Sequence, residues 1–413
     1  MDELRQQRYR WIVLAAGTFA QASFSASSVG LPALGPALKS DYGLTLGETG
    51  VVLAAIGIGM LFTLLGWGLV ADRIDERWVI ATGLSGAAVM LAVASTTDSF
   101  AAVTGTLVAV GALGASVNAA SGRAIMAWFP GSELGLALGI RQTAIPIGGA
   151  LGAVLLPVLA SAGGTHLAFL FLAGACLTGA VVAAVFIRGG GGGEQELGEV
   201  TRPLRDPRMW KLGTGAGLYL TAQVGITGFV VLFLHEHRHV STHAAAALLA
   251  AINVLAIVAR IAAGRISDRL ASRLRPLRTI GVALALSTAG VAAATEAPLV
   301  LIVALFLVAG VLSMSWNGLA YAAAAEAAGA ARTGAALGFQ QTLLGVAVAA
   351  TPPLVAVVAS HSWRLAFFLA AAGPAVGVLI LRPLSDYRRA RSRRPGRIPG
   401  TSASLPAAPR TPD

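Results

Sequence analysis

Two arginines stand inside stretches of the sequence that are otherwise apolar enough to enter a lipid bilayer. Arg123 lies seven residues before Pro130, and Arg141 lies nine residues after Ser132, so one polar turn separates them. At 1.5 Å per helical residue, both would lie roughly 10–14 Å from that turn on neighbouring antiparallel helices. A charge inside a membrane costs about 2.5–3.5 kcal/mol even on a lenient scale, and such residues usually mark a pathway. The pair therefore predicts a site for an anionic or strongly dipolar ligand, held by guanidinium hydrogen bonds.

Each arginine also has a plainer interpretation, because its long side chain can reach water from inside the bilayer. We favour that interpretation for Arg260, which lies four residues before Gly264 near the predicted end of a span. No Asp or Glu falls in the middle third of any predicted span. Proton-coupled carriers often use a buried carboxylate, and the sequence offers no obvious one.

The composition is that of a membrane protein. Of the 413 residues, 56% are hydrophobic and only 12% are charged, whereas about a quarter are charged in soluble proteins. Apolar runs bounded by charged residues or by Pro and Gly predict twelve transmembrane helices. The predicted spans are Trp11–Leu34, Gly47–Ala71, Trp78–Thr96, Phe100–Ala127, Gly135–Ser161, Leu167–Ile187, Trp210–Leu234, His243–Ile266, Leu277–Thr295, Pro298–Ala324, Gly334–Ser360 and Leu365–Leu381.

This pattern predicts an all-α membrane protein of two six-helix bundles, at residues 1–187 and 210–382. A charged, glycine-rich linker at 188–209 joins them, and we expect the Arg- and Pro-rich tail at 383–413 to be disordered. The net charge of +11 collects at the chain ends, in the linker and in the loops on one side, so both termini are predicted to be cytoplasmic. The charge thus indicates membrane topology, and we expect no nucleic-acid partner.

An internal repeat supports the two bundles. Asn118 corresponds to Asn317, and ALGIRQT at 137–143 corresponds to ALGFQQT at 336–342, both at a spacing of 199 residues. GLVADR at 68–73 corresponds to GRISDR at 264–269, and HLAFLFLAG at 166–174 corresponds to RLAFFLAAAG at 364–373. Parallel repeats of this kind place a transporter's binding site at the interface between the halves.

Twelve spans in two halves, with G-x-x-x-D-R after the second and eighth spans, resemble the major facilitator superfamily. The resemblance covers residues 10–381, and the ELGLALGIRQT segment more loosely resembles the permease branch that includes cyanate and nitroimidazole transporters. One departure is that Asp75 and Glu76 stand where the family usually has Gly and a basic residue. The resemblance implies alternating access, with gating residues at the loops: Asp72, Arg73, Asp268, Arg269, Glu133, Glu326 and Arg332.

The predicted substrate-binding residues are the intramembrane arginines together with polar and aromatic side chains of the spans. They are Arg123, Arg141, Asn118, Asn317, Gln21, Gln142, Tyr219, Gln223, Trp316, Tyr321, Gln340 and Gln341. For a single Asn or Gln, a hydrogen bond between helices is as plausible as a ligand contact. The repeat places Ala322 and Gln340 opposite Arg123 and Arg141, so we expect the positive charge to come from the first half alone.

The sequence thus predicts a secondary transporter of the bacterial inner membrane that moves a small anionic or polar organic solute. An alternative within transport is a drug-efflux antiporter, which would keep its function when Arg123 is replaced. A membrane-embedded enzyme or sensor would need an intramembrane cluster of His, Asp, Glu or Cys, or an output domain, and neither is present. We expect no enzyme activity and no cofactor. We also expect no metal, because the histidine spacing in HEHRHVSTH at 235–243 fits no closed structural site. The expected partners are the solute, the lipid bilayer and a coupling ion or counter-anion, with the chain acting as a monomer.

Overall fold

Every regular element in the part of the chain that the structure describes is a helix. The computed structural model describes residues 3–71, 73–129, 131–188, 205–328 and 333–386, so two predicted gating residues, Asp72 and Arg332, lie outside them. The first half consists of α1 (Glu3–Ser28), a 3-10 turn (Leu31–Leu34), α2 (Gly35–Asp41), α3 (Leu46–Ala71), α4 (Glu76–Ala94), α5 (Phe100–Trp128) and α6 (Gly131–Phe186). The second half consists of α7 (Pro207–Leu232), a π-helical turn (Phe233–His237), α8 (Thr242–Arg269), α9 (Leu274–Ala293), α10 (Leu299–Ser315), α11 (Asn317–Ala328), α12 (Thr333–Ala359) and α13 (Trp363–Leu381).

The α6 helix contains two membrane spans. Its 56 residues would measure about 84 Å if straight, far more than the ~30 Å of a bilayer core. Gly163 and Gly164 leave helical geometry, and Gly164 has a φ of 67°, which favours glycine. The backbone N–H of Thr165 donates to Asp41 Oδ2 at 2.9 Å, which satisfies a free amide where the second arm begins.

Eleven stretches of the described chain are long and apolar enough to cross a membrane. Counting the two arms of α6 separately brings this number to twelve spans. Large apolar side chains on their outer surfaces, such as Phe62 and Val300, are more than three-quarters exposed because lipid is their solvent.

The two halves meet along two helix pairs, α3 against α12 and α6 against α8. We call the face where α1 begins and α13 ends the terminal face, and the other one the opposite face. Near the opposite face, a side chain added at Gly50 would collide with Ala356, and one added at Gly57 would collide with Val348. Near the terminal face, Gly68 lies eleven residues after Gly57 and so on the same side of α3, and it has nothing within 4 Å of the added carbon. The α3–α12 contact is therefore tight at the opposite face and opens toward the terminal face.

Two boundaries differ from the prediction. The second half begins at Pro207, where Asp206 caps the helix by accepting from Arg208 N. The expected disorder does not begin at residue 383, because the guanidinium groups of Arg208 and Arg278 donate to the carbonyl oxygens of Ser385 and Leu384. Residues 383–386 are thereby held against the second half, and the rest of the predicted tail lies outside the described residues.

Candidate functional site

Arg141 lies on the first arm of α6 and faces two other helices of its own half. Its Nη1 atom donates to Ser121 Oγ at 3.1 Å and to Gln21 Oε1 at 3.4 Å, which belong to α5 and α1. Its buried Nε atom has no hydrogen-bond partner. Among the described residues, no carboxylate lies within ion-pair distance of this guanidinium group. Within the part of the chain that the structure describes, Arg141 is therefore a cation inside the protein without a balancing charge.

Arg260, on α8, is held by three acceptors. Its Nε atom donates to Met314 O at 2.7 Å, its Nη1 atom to Gln142 O at 3.0 Å, and its Nη2 atom to Asn317 Oδ1 at 3.4 Å. The interpretation that Arg260 reaches toward surface water is wrong. The physical reason is that α8 continues to Arg269, so Arg260 lies nine residues, roughly 14 Å, inside the helix end.

A break in the tenth span supplies one of these acceptors. The α10 helix ends at Ser315 and α11 begins at Asn317, with Trp316 between them in neither helix. The last carbonyl groups of a helix have no partner within it, and an unpaired carbonyl inside a membrane costs several kcal/mol. The Nε atom of Arg260 provides that partner for Met314.

Tyr321, on α11, brings the two arginines into one site. Its hydroxyl donates to Gln341 Oε1 at 2.6 Å. The phenol also lies near enough to Arg141 and to Arg260 for a direct electrostatic interaction with both guanidinium groups. The Arg141 guanidinium of the first half and the Arg260 guanidinium of the second half therefore lie within electrostatic range of the same tyrosine.

Neutral amides complete this group. Asn317 Nδ2 donates to Gln223 Oε1 at 3.5 Å, while Asn317 Oδ1 accepts from Arg260. The central polar cluster, as we call it, comprises Arg141, Arg260, Tyr321, Gln21, Ser121, Gln142, Gln223, Asn317 and Gln341. Predicted substrate residues supply most of its members, although Gln142 takes part through its backbone carbonyl rather than its side chain. Arg260 and Ser121 were not predicted as members.

The remaining predicted substrate residues lie elsewhere. Tyr219 and Trp316 are fully buried in the second half, edge to face with ring centroids 5.7 Å apart, and the Tyr219 hydroxyl donates to Leu277 O. Gln340 is 2% exposed, and neither polar atom of its amide has a hydrogen-bond partner. Asn118 is half-buried on α5, three residues before Ser121.

Arg123 extends toward the terminal face rather than toward Arg141. Its Nε atom lies 3.6 Å from Glu76 Oε1, and its side chain is 37% exposed. Glu76 is the first residue of α4 and belongs to the loop in which the sequence departs from the family pattern. Glu76 therefore takes part in an ion pair at the side of the first half that is nearer the terminal face.

Three of the predicted gating residues, Glu133, Asp268 and Glu326, form ion pairs within their own halves at the terminal face. Arg10 Nη2 lies 3.0 Å from Glu133 Oε2 in the first half. In the second half, Arg273 lies 2.6 Å from Asp268 Oδ1 and 3.0 Å from Glu326 Oε1. The two acids thus share an arginine that was not among the predicted gating residues. Arg73 and Arg269 are exposed.

Asp386 joins the segment after the last span, α13, to the loop between α8 and α9. Its carboxylate accepts from Ser272 Oγ and from the backbone N–H groups of Arg273 and Leu274. Burial alone would raise the pKa of Asp386, but these hydrogen bonds and the charge of Arg278 outweigh burial and lower it below its ordinary value of 3.8. The ionised carboxylate therefore caps α9.

At the opposite face, an ion pair joins the halves. Lys39 Nζ, at the end of α2, lies 2.8 Å from Glu236 Oε2 in the π-helical turn after α7. On the α6–α8 contact, a side chain added at Gly149 would fall 2.5 Å from Asn253 Oδ1. The described contacts between halves thus run from the opposite face down to the central polar cluster.

A transporter family shares this combination of two six-span halves around a central polar site. The sequence profile of the Major Facilitator Superfamily matches residues 14–346. The chain belongs to the major facilitator superfamily. Two relatives in this superfamily come from different strains of Mycobacterium tuberculosis, and both are described as uncharacterized MFS-type transporters. Each is 31% identical over 395 residues, which cover 92% of this chain and 88% of the relative.

Two solved transporter structures share the fold. A bacterial homolog of the human lysosomal transporter Spinster, in an inward-facing and occupied conformation, has a TM-score of 0.74 at 16% identity and covers 91% of this chain and 96% of its own. A variant of the nucleoside transporter NupG has a TM-score of 0.72 at 14% identity, with coverages of 90% and 99%. These likenesses confirm the predicted all-helical fold.

Proposed function

We propose that this protein is a secondary active transporter that moves a small anionic organic solute by alternating access, with Arg141 binding the anionic group. One observation carries the proposal. The half-buried Arg141 guanidinium has an unpaired Nε atom and no carboxylate partner among the described residues. A cation in a membrane interior is costly unless an anion or several hydrogen bonds compensate it, and a bound anion would do so.

The second half contributes a further positive charge to this site. We expected the charge from the first half alone, because Gln340 stands at the position equivalent to Arg141. Arg260 comes from another span, so that comparison did not include it, and its guanidinium lies within electrostatic range of Tyr321 as that of Arg141 does. Two guanidinium groups favour an anion over a neutral polar solute and oppose the cationic drugs of the efflux alternative.

We further propose that the terminal face is cytoplasmic and that the monomer is the transporting unit. Basic residues of the described chain collect there, among them Arg77, Arg188, Arg205, Arg269, Arg275 and Arg382, whereas Lys39, Arg238 and Arg364 lie at the opposite face. This asymmetry follows the positive-inside rule for the inner membrane of a bacterium.

Uptake and counterflow in proteoliposomes test the proposal. Wild type would be assayed against panels of small organic anions, neutral polar solutes and bulky cations, with a proton, sodium or counter-anion gradient applied in turn. We expect saturable transport of anions, lost in Arg141→Gln, which copies the residue at the equivalent position of the second half. Arg265→Gln is the matched control, because Arg265 is exposed on α8. Transport of cations alone, unchanged in Arg141→Gln, would overturn the proposal.

A further inference from the structure

The two arginines of the central polar cluster differ in how their donors are used. All three nitrogen atoms of Arg260 donate to the protein, to Met314 O, Gln142 O and Asn317 Oδ1. Arg141 donates to other described residues from Nη1 alone, and its Nε atom is unpaired. A substrate anion can thus hydrogen-bond to Arg141 without displacing a partner from Nε. At Arg260 it would have to compete with contacts already made.

The contact between Arg260 and Gln142 joins the two halves, since α8 belongs to the second half and α6 to the first. It lies at the inner limit of the α6–α8 contact. Seven residues toward the opposite face on both helices, Gly149 and Asn253 are too close to admit an added side-chain carbon without a shift. Toward the terminal face, nothing lies within 4 Å of a carbon added at Gly139 or at Gly264. The hydrogen bond between Arg260 and Gln142 therefore lies at the innermost point of the gap between α6 and α8 that opens toward the terminal face.

The same guanidinium group holds both sides of the break in the tenth span. Met314 precedes the break at Trp316, and Asn317 follows it. Discontinuous spans often form the substrate site of a transporter. Because one planar group bridges all three acceptors, a movement of α6 away from α8 would alter the support of the broken span as well.

We propose that Arg260 is a positioning residue that joins the two halves at the inner end of the α6–α8 contact. Arg260, Gln142, Met314 and Asn317 form what we call the Arg260 bridge. This bridge must open before the opposite face can open. Its role is to set the balance between the two access states, while Arg141 binds the anion. This inference uses the proposed function for its transport readout only, because the conformational readout requires no substrate.

Spin labels on the full-length protein measure this balance directly. In a Cys176→Ser background, Ile74→Cys and Leu270→Cys place labels on exposed loop positions of the two halves at the terminal face. In lipid nanodiscs without substrate, we expect Arg260→Gln to change the ratio of the two access states about tenfold, the size expected from losing one hydrogen bond to a charged group. Arg265→Gln should leave the distance distribution unchanged.

Arg260→Lys separates a bridging role from a role of charge alone. A lysine keeps the charge but cannot reproduce the planar fork that reaches three separate acceptors. We expect it to shift the access states as Arg260→Gln does, while the KM for anion transport changes less than twofold and kcat falls. A wild-type distance distribution in both variants would overturn the Arg260 bridge. If instead Arg141→Gln kept anion transport while Arg260→Gln still shifted the distances, the proposed function would fail and the bridge would stand.

Discussion

The Nε atom of Arg123 lies 3.6 Å from the carboxylate of Glu76, so an arginine from inside α5 is joined to the first residue of α4. The pair lies at the side of the first half that is nearer the terminal face. The sequence predicts that Arg123 shares a substrate site with Arg141, but the geometry favours different roles for the two arginines. Arg141 faces the central polar cluster, whereas Arg123 contributes charge to the terminal face.

Replacement of Arg123 should therefore affect turnover rather than substrate affinity. We expect Arg123→Gln to lower kcat for anion counterflow several-fold with a KM within about twofold of wild type, because its ion pair is half-exposed and modest in energy. Initial rates over a range of substrate concentrations measure both constants. A large rise in KM with kcat unchanged would return Arg123 to the substrate site.

The carboxylates of Asp268 and Glu326 should act as one unit, because both bind Arg273. We expect Asp268→Asn and Glu326→Gln each to slow turnover with little change in equilibrium binding. The double variant should be less impaired than the product of the two single effects, as expected of residues in one network. Arg273→Gln should resemble the double variant. Effects that multiply independently in a transport assay would show that the two acids do not share a partner.

The ion pair between Lys39 and Glu236 should respond to exchange of its charges. Lys39→Glu places two acids at the opposite face and should lower the transport rate several-fold, because repulsion opposes closure of that face. Adding Glu236→Lys restores opposite charges and should recover most of the rate. Lys39→Gln is the neutral control, with an intermediate rate. No recovery in the exchanged pair would indicate that the contact does not govern closure.

Asp386 should stabilise the second half by a constant amount near neutral pH. Its folded pKa is lowered, so its contribution is fully present above the ordinary value of 3.8 and is lost only as pH falls through the lower folded value. We expect Asp386→Asn to lower the unfolding temperature of the detergent-solubilised protein by an amount that does not change between pH 8 and pH 5, in line with a lost helix cap of about 1 kcal/mol. A deficit that shrinks across this range would contradict the assigned capping interaction.

The fold was predictable because the bilayer imposes strong rules on sequence. Spans of sufficient apolar length, the repeat of Asn118 as Asn317, and the G-x-x-x-D-R loops predict two six-helix bundles without any knowledge of contacts. There was less indication in the sequence that the fifth and sixth spans form one helix. Its break needs only Gly163 and Gly164, while helical hydrogen bonding continues on both sides.

The site was predictable in part. Polar residues at similar depth, such as Gln21, Gln142 and Asn317, indicated a central cluster, but depth alone does not show which way a side chain points. Arg260 was misjudged because its span was ended at Ile266, three residues early, and because the repeat comparison covered other spans. The available signal was an arginine within the apolar segment before Gly264. Its acceptors arise from a helix break that local sequence does not specify.

The most direct test of the account pairs a change in the protein with a change in the substrate. For any transported organic acid, counterflow by wild type and by Arg141→Gln would be compared for the acid and for its uncharged amide, which has nearly the same shape. We predict that wild type prefers the acid by about tenfold or more and that Arg141→Gln shows almost no preference, since the lost interaction is a charge-assisted hydrogen bond. An unchanged preference in Arg141→Gln would contradict the claim that Arg141 binds the anion.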